Sequence, residues 1–162
     1  MADLRALLTA EGYRDVATLL QSGNAVFEAD VAAPAALAEA VEVAIAARFG
    51  FPVDVVLRTR AEVAAVVERN PFADVADNGS RYFVSFLGAP LSAAERTDLT
   101  ARLDAVEAGG DLFAVDPAEV YVWCPKGLME SPVMTALGKL KGGPVATVRN
   151  WNTVEKLAKL LG

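Results

Sequence analysis

Arg81-Tyr82-Phe83-Val84-Ser85-Phe86-Leu87-Gly88-Ala89-Pro90-Leu91-Ser92-Ala93-Ala94-Glu95 is the stretch whose reading decides the fold. Residues 81–87 are a β-branched and aromatic run of strand length, and Gly88 and Pro90 punctuate its end. Ser92 followed three residues later by Glu95 is a capping box, in which each side chain satisfies a free backbone N–H of the other. Leu99, Leu103 and Val106 then recur at helical spacing, and Gly109-Gly110 stops the helix. Downstream, residues 112–115 and 120–123 pair as strands across the Asp116-Pro117 turn. Ser131-Pro132 is an N-cap followed by proline at the first helical position, which opens a helix through Leu140. Gly142-Gly143-Pro144 breaks that helix, and residues 145–148 form another strand. Asn152 is expected to cap a last helix with Glu155 at its third position. The order is β-α-β-β-α-β.

Reading outward toward the N-terminus, residues 2–11 form a helix stopped by Gly12. Residues 16–20 and 25–28 make a hairpin around Gln21-Ser22-Gly23-Asn24. Pro34 opens a second helix that Gly50 ends, and residues 53–57 read as a β-branched strand. This order, α-β-β-α-β, is the downstream pattern without its first strand. The fold class expected is therefore α+β, with two ferredoxin-like α/β plaits, the first lacking its N-terminal strand. The halves are residues 1–58 and 80–162, and Thr59-Arg60-Ala61-Glu62, a second capping box, starts a connector helix and loop over 59–79. In a plait the first strand is central. Without it, residues 25–28 and 53–57 each present an unpaired edge, a template for another strand. Either those two strands close up directly, or a segment from a second molecule fills the place between them.

Composition narrows the chemistry. The 162 residues carry no His and one Cys, so Ser-His-Asp and Cys-His catalysis, His metal ligation and internal disulfides are all excluded. A 54% hydrophobic chain with 22% charged residues is globular. The start of the chain has no signal-peptide pattern, and no run is long and apolar enough to span a membrane, so a cytoplasmic location is expected. No Walker, dinucleotide-binding or calcium-loop fingerprint occurs, and no cofactor or metal is expected.

Charge is unevenly spread. Residues 1–125 have a net charge of −10, and residues 126–162 have +4 through Lys126, Lys139, Lys141, Arg149, Lys156 and Lys159. Within this basic end, Arg149-Asn150-Trp151-Asn152-Thr153 lies at a strand-to-helix junction. There the free N–H groups of a helix start and a guanidinium fork suit an anion. Lys126 and Ser131, and also Lys141, are candidates to join from neighbouring loops. The alternative reading gives Asn152 a capping role, Trp151 a packing role and Arg149 an acidic partner. Gln21, Ser22 and Asn24 are a secondary candidate, set against ordinary turn chemistry. Tyr121 and Trp123 alternate on a strand as base-stacking residues do. The acidic balance and the missing basic-aromatic strand signature speak against nucleic acid, however. Cys124 reads as a buried small hydrophobe.

Leu20-Gln21-Ser22-Gly23-Asn24, Asn70-Pro71-Phe72 and Arg149-Asn150-Trp151-Asn152-Thr153, in this order and at these spacings, resemble the bacterial family named domain of unknown function 1697. The resemblance covers almost the whole chain and implies two ferredoxin-like plaits. It supplies no activity. Members begin with an apolar strand and a Gly-rich loop ahead of the helix found here at residues 2–11, so a downstream start or a natural short form is expected. Where the family tends to place basic residues around the serine, Glu130 and Pro132 flank Ser131. Three functional readings follow: a non-catalytic binding or interaction module that self-associates through open sheet edges, a binder of a small phosphate- or nucleotide-like anion at residues 149–153, or an enzyme of unidentified chemistry.

Overall fold

The computed structural model describes residues 1–19, 23–30 and 33–162. Helix α1 (Ala2–Ala10) leads into strands β1 (Arg14–Leu19) and β2 (Asn24–Glu28), and helix α2 (Pro34–Phe49) ends on Gly50 in the left-handed conformation, φ 79°. Helix α3 (Arg60–Arg69) follows. The rest is β3 (Tyr82–Leu87), α4 (Ala93–Asp104), β4 (Leu112–Val115), β5 (Glu119–Trp123), α5 (Pro132–Lys139), β6 (Ala146–Asn150) and α6 (Trp151–Leu161). The chain is thus α+β, with one two-stranded and one four-stranded sheet. Both expected capping boxes form, Thr59 with Glu62 and Ser92 with Glu95.

The four-stranded sheet runs β4-β5-β3-β6, with every neighbouring pair antiparallel. β3 lies inside it and is buried along its whole length. Strand alternation sends Tyr82, Val84 and Phe86 to one face and Phe83, Ser85 and Leu87 to the other. On the first face they join Tyr121, Trp123, Val66 of α3, and Trp151 and Val154 of α6. On the second, Phe83 meets Val120, Val122, Cys124, Leu103 of α4 and Val133 of α5. A third cluster holds the N-terminal half, where Leu8, Val16 and Val41 gather Tyr13, Ala25, Phe27, Leu37, Ile45 and Val55.

Two expectations are corrected. Residues 53–57 form no strand. A strand exists only as part of a ladder. Here no backbone hydrogen bond joins this segment to β2 among the described residues, so direct closure of the two edges does not occur. Instead the Val55 N–H donates to Glu42 Oε1 at 2.8 Å, and the Leu57 carbonyl accepts from Arg58 Nη1 at 2.8 Å. The cap of α6 is Asn150, two residues before the expected Asn152. Its side chain accepts from the Thr153 N–H at 3.0 Å, and the strand passes straight into the helix.

Ion pairs tie residues 58 and 69 to the four-stranded sheet. Glu119 Oε1 takes the Arg58 Nε–H at 2.9 Å, and Oε2 takes Arg69 Nη2–H at 3.2 Å; Arg69 also reaches Asp116 at 3.1 Å. Arg58 Nη2 donates to the carbonyls of Leu87 and Ala118, both at 2.8 Å. The Glu119 and Arg58 side chains are only 5% and 12% exposed. Removing one partner leaves a buried charge uncompensated, at about 3–5 kcal/mol. Glu119→Ala is therefore expected to lower the urea-unfolding free energy by about that much. Breaking the exposed Asp98–Arg102 pair with Arg102→Ala is expected to cost under about 1 kcal/mol.

Candidate functional site

The residues singled out at 149–153 divide between two roles. Antiparallel pairing with β3 puts Arg149 opposite Val84 and Thr147 opposite Phe86, on the face shared with α3 and α6. From there the Arg149 guanidinium turns along the outer edge of β6. Nη1 donates to Thr147 Oγ1 at 2.6 Å and to the Val148 carbonyl at 2.8 Å. Nε donates to Asn24 Oδ1 of the hairpin, whose Nδ2 in turn donates to the Leu19 carbonyl at 3.0 Å. The side chain therefore bridges the two sheets, and burial in that seam makes its proton easier to lose than usual. The structure thus joins Arg149 of the first candidate set to Asn24 of the second. Gln21 and Ser22 lie outside the described residues.

The other four residues are occupied in holding α6. Asn150 Oδ1 accepts from both the backbone N–H and the hydroxyl of Thr153. The Asn152 N–H donates to the Gly79 carbonyl at 3.4 Å. A Cβ at position 79 would meet the exposed Asn152 side chain, which would have to turn aside. Trp151 is buried and stacks on Tyr82, with centroids 4.7 Å apart and planes 16° from parallel. The Tyr82 hydroxyl donates to Asn70 Oδ1 at 2.9 Å, and Phe72 meets the same ring edge-on.

Neither Ser131 nor Lys126 is placed beside Arg149 by a described contact. Ser131 is buried at the start of α5, which packs on the opposite face of the sheet. Its hydroxyl donates to Asp111 Oδ2 at 2.6 Å and accepts from the Met134 N–H at 2.9 Å. This is a helix cap reinforced by a buried carboxylate. Lys126 and Lys141 are exposed. Cys124, fully buried beside Ser131, has its thiol pushed up by burial, as an inert hydrophobe should.

The sequence reading missed the Arg58–Glu119–Arg69–Asp116 cluster. A signal existed: Glu119 alternates in phase with Tyr121 and Trp123, so the face that buries them buries a carboxylate too. Beside it the fully buried Tyr121 hydroxyl meets no hydrogen-bond partner among the described residues. Its pKa is pushed up to about 12, chiefly by burial, against the opposing pull of Arg69.

A family model described as protein of unknown function (DUF1697) matches residues 1–121. The chain belongs to that family. Among solved structures, it is similar to the conserved bacterial protein SP0830 from Streptococcus pneumoniae. The TM-score is 0.76 at 21% identity, over 100% of this chain and 88% of that one. That likeness shows a shared fold. No curated protein matches. No helix among the described residues is long and apolar enough to cross a membrane.

Two outcomes follow for Tyr121. Tyr121→Phe removes a buried hydroxyl that has Arg69 beside it without a well-formed hydrogen bond, and is expected to change stability by less than about 1 kcal/mol at pH 7. For the wild type, a folded-state pKa above the unfolded value near 10 means the folded chain holds the proton longer. That stability is complete below about pH 10 and is lost as pH rises through about 12. Urea titrations at stepped alkaline pH are expected to show the loss, and Tyr121→Phe to show less of it.

Proposed function

We propose that this protein of the DUF1697 family is a non-catalytic interaction module. In this reading it takes up an extended segment of another polypeptide, a second copy included, at the open edges of its N-terminal half. One observation carries the reading. β2 is paired with β1 alone and residues 53–57 join no strand, among the described residues. Their side chains are largely half-buried, and in residues 53–57 side chains rather than a strand meet the Val55 N–H and the Leu57 carbonyl. A two-stranded sheet is marginal by itself, and a further strand is the general remedy.

The order β4-β5-β3-β6 with element order β-α-β-β-α-β supports reading residues 80–162 as a ferredoxin-like plait. Residues 1–58 carry the α-β-β-α portion of the same order.

Sedimentation across a concentration series tests self-association. The average mass is expected to rise above the 17.0 kDa of one chain, and Val26→Lys, a charge on the β2 edge, to hold it there with unchanged circular dichroism. A wild-type mass fixed at one chain throughout overturns self-association.

A second reading, a small phosphate-like anion at residues 149–153, has the net positive charge of residues 126–162 in its support and the engagement of Arg149 by Asn24 against it. Under it, inorganic phosphate or a nucleotide at 100 times its Kd stabilises the fold by about 2.7 kcal/mol, a Tm rise of about 5–10 °C. Arg149→Ala is expected to abolish that rise. No shift with any phosphate compound removes the reading.

A further inference from the structure

Asn78-Gly79 is the one Asn-Gly step in the chain. It lies in the turn that leads into β3, and the Asn78 side chain is exposed. That side chain is folded back on its own turn. Asn78 Oδ1 accepts the Ser80 N–H at 3.0 Å and the Ser80 hydroxyl at 2.5 Å. This Asx turn carries the amide back across the Gly79 peptide. The two donors draw charge away from Cγ, and they stabilise the negative charge that grows on Oδ1 when a nucleophile adds there. The Gly79 nitrogen is such a nucleophile once it loses its proton. Glycine has no side chain to screen it, and among the described residues no acceptor takes the Gly79 N–H. The other four asparagines lack this combination. Asn70 precedes Pro71, which has no N–H. Asn24 and Asn150 sit in strands and Asn152 in a helix, where the backbone is fixed, and the N–H that follows Asn152 is already held by Asn150 Oδ1.

We propose that Asn78 is a self-modifying site, at which the fold promotes conversion of the amide to an aspartyl or isoaspartyl carboxylate. Hydroxide takes the Gly79 amide proton, and the Gly79 nitrogen attacks Asn78 Cγ. The new N–Cγ bond closes a succinimide ring as the Cγ–Nδ2 bond breaks, and Nδ2 leaves as ammonia with a proton from water. Water then opens the ring at either carbonyl, to aspartate or to isoaspartate. Water is the only co-reactant, and no electrons change hands. A neutral side chain becomes an anion. In the isoaspartyl product the main chain runs through the former side chain and gains a carbon between residues 78 and 79. Two anchors sit at that point. The Arg81 N–H donates to the Asn78 carbonyl at 2.9 Å, and the Asn152 N–H donates to the Gly79 carbonyl at 3.4 Å. Lengthening the chain there loosens the joint between the entry of β3 and the start of α6, beside the Tyr82–Trp151 stack.

Peptide mapping by mass spectrometry tests it on the whole protein, held folded at mildly alkaline pH and physiological temperature. The peptide that contains Asn78 is expected to gain about one dalton before any other asparagine changes, and to do so faster as the pH is raised. Fragmentation is expected to show both aspartyl forms at residue 78, and Asn78→Gln to lose the conversion. Ser80→Ala removes one donor to Oδ1. A hydrogen bond of ordinary strength makes the expected slowing about two- to tenfold in the folded chain, with no change in the same chain unfolded in urea. Ser80→Thr, which keeps the hydroxyl, is expected to keep the folded rate. The isoaspartyl fraction is expected to unfold at lower urea than the starting protein. Conversion of another asparagine first overturns the proposal, and so does a folded chain that stays unchanged while the urea-unfolded chain converts. A folded rate unaltered in Ser80→Ala takes away the part played by the fold and overturns it as well, and an isoaspartyl fraction as stable as the starting chain overturns the loosened joint.

Discussion

Backbone amides and carbonyls withdrawn from water must find partners, and the two halves of this chain meet that demand differently. In the four-stranded sheet β3 is paired on both sides and buried on both faces, so the C-terminal half closes on itself. In the N-terminal half the same rhythm of elements leaves β1 and β2 as an isolated pair. The segment that would extend them borrows substitutes: a glutamate from α2 for one N–H and an arginine for one carbonyl. Side-chain stand-ins hold that segment in place without making it a strand. The functional reading grows from this difference in pairing rather than from any constellation of reactive groups.

Charge does the joining. Glu119 is brought under the sheet by strand alternation, and two arginines from the preceding segment and helix converge on it. Because Arg58 also binds carbonyls at the ends of β3 and of the β4–β5 turn, residues 52–59 are tied to the four-stranded sheet. Arg149 plays a comparable part on the edge strand β6. It covers an outer carbonyl of β6 and reaches across to Asn24, so one charged side chain blunts a sheet edge and fastens the hairpin. A residue that resembles a ligand-binding arginine in sequence is thereby engaged in holding two sheets together.

The local signals were legible because they are decided within a few residues. The Ser92–Glu95 and Thr59–Glu62 boxes, Pro34 and Pro132 at helix starts, Gly50 at a helix end and the Asp116-Pro117 turn all act through the nearest backbone groups. The misplaced cap of α6 shows the limit of that logic. Asn150 and Asn152 are both plausible caps, and only the point where β6 leaves β3 decides between them. Residues 53–57 show it more sharply, since the three valines of Val-Asp-Val-Val-Leu favour a strand and the segment forms none.

The amino-acid order by itself determined the helices, the hairpins, the α+β class and the lack of histidine chemistry, all set by local sterics, hydrophobic period and composition. Only the tertiary structure decided that Arg149 meets Asn24, 125 residues away, and that Glu119 gathers two arginines. It alone decided, too, that residues 53–57 stay outside a ladder. A side chain's partner and a strand's neighbour are long-range choices, fixed when the layers pack and the buried polar groups are shared out among those within reach.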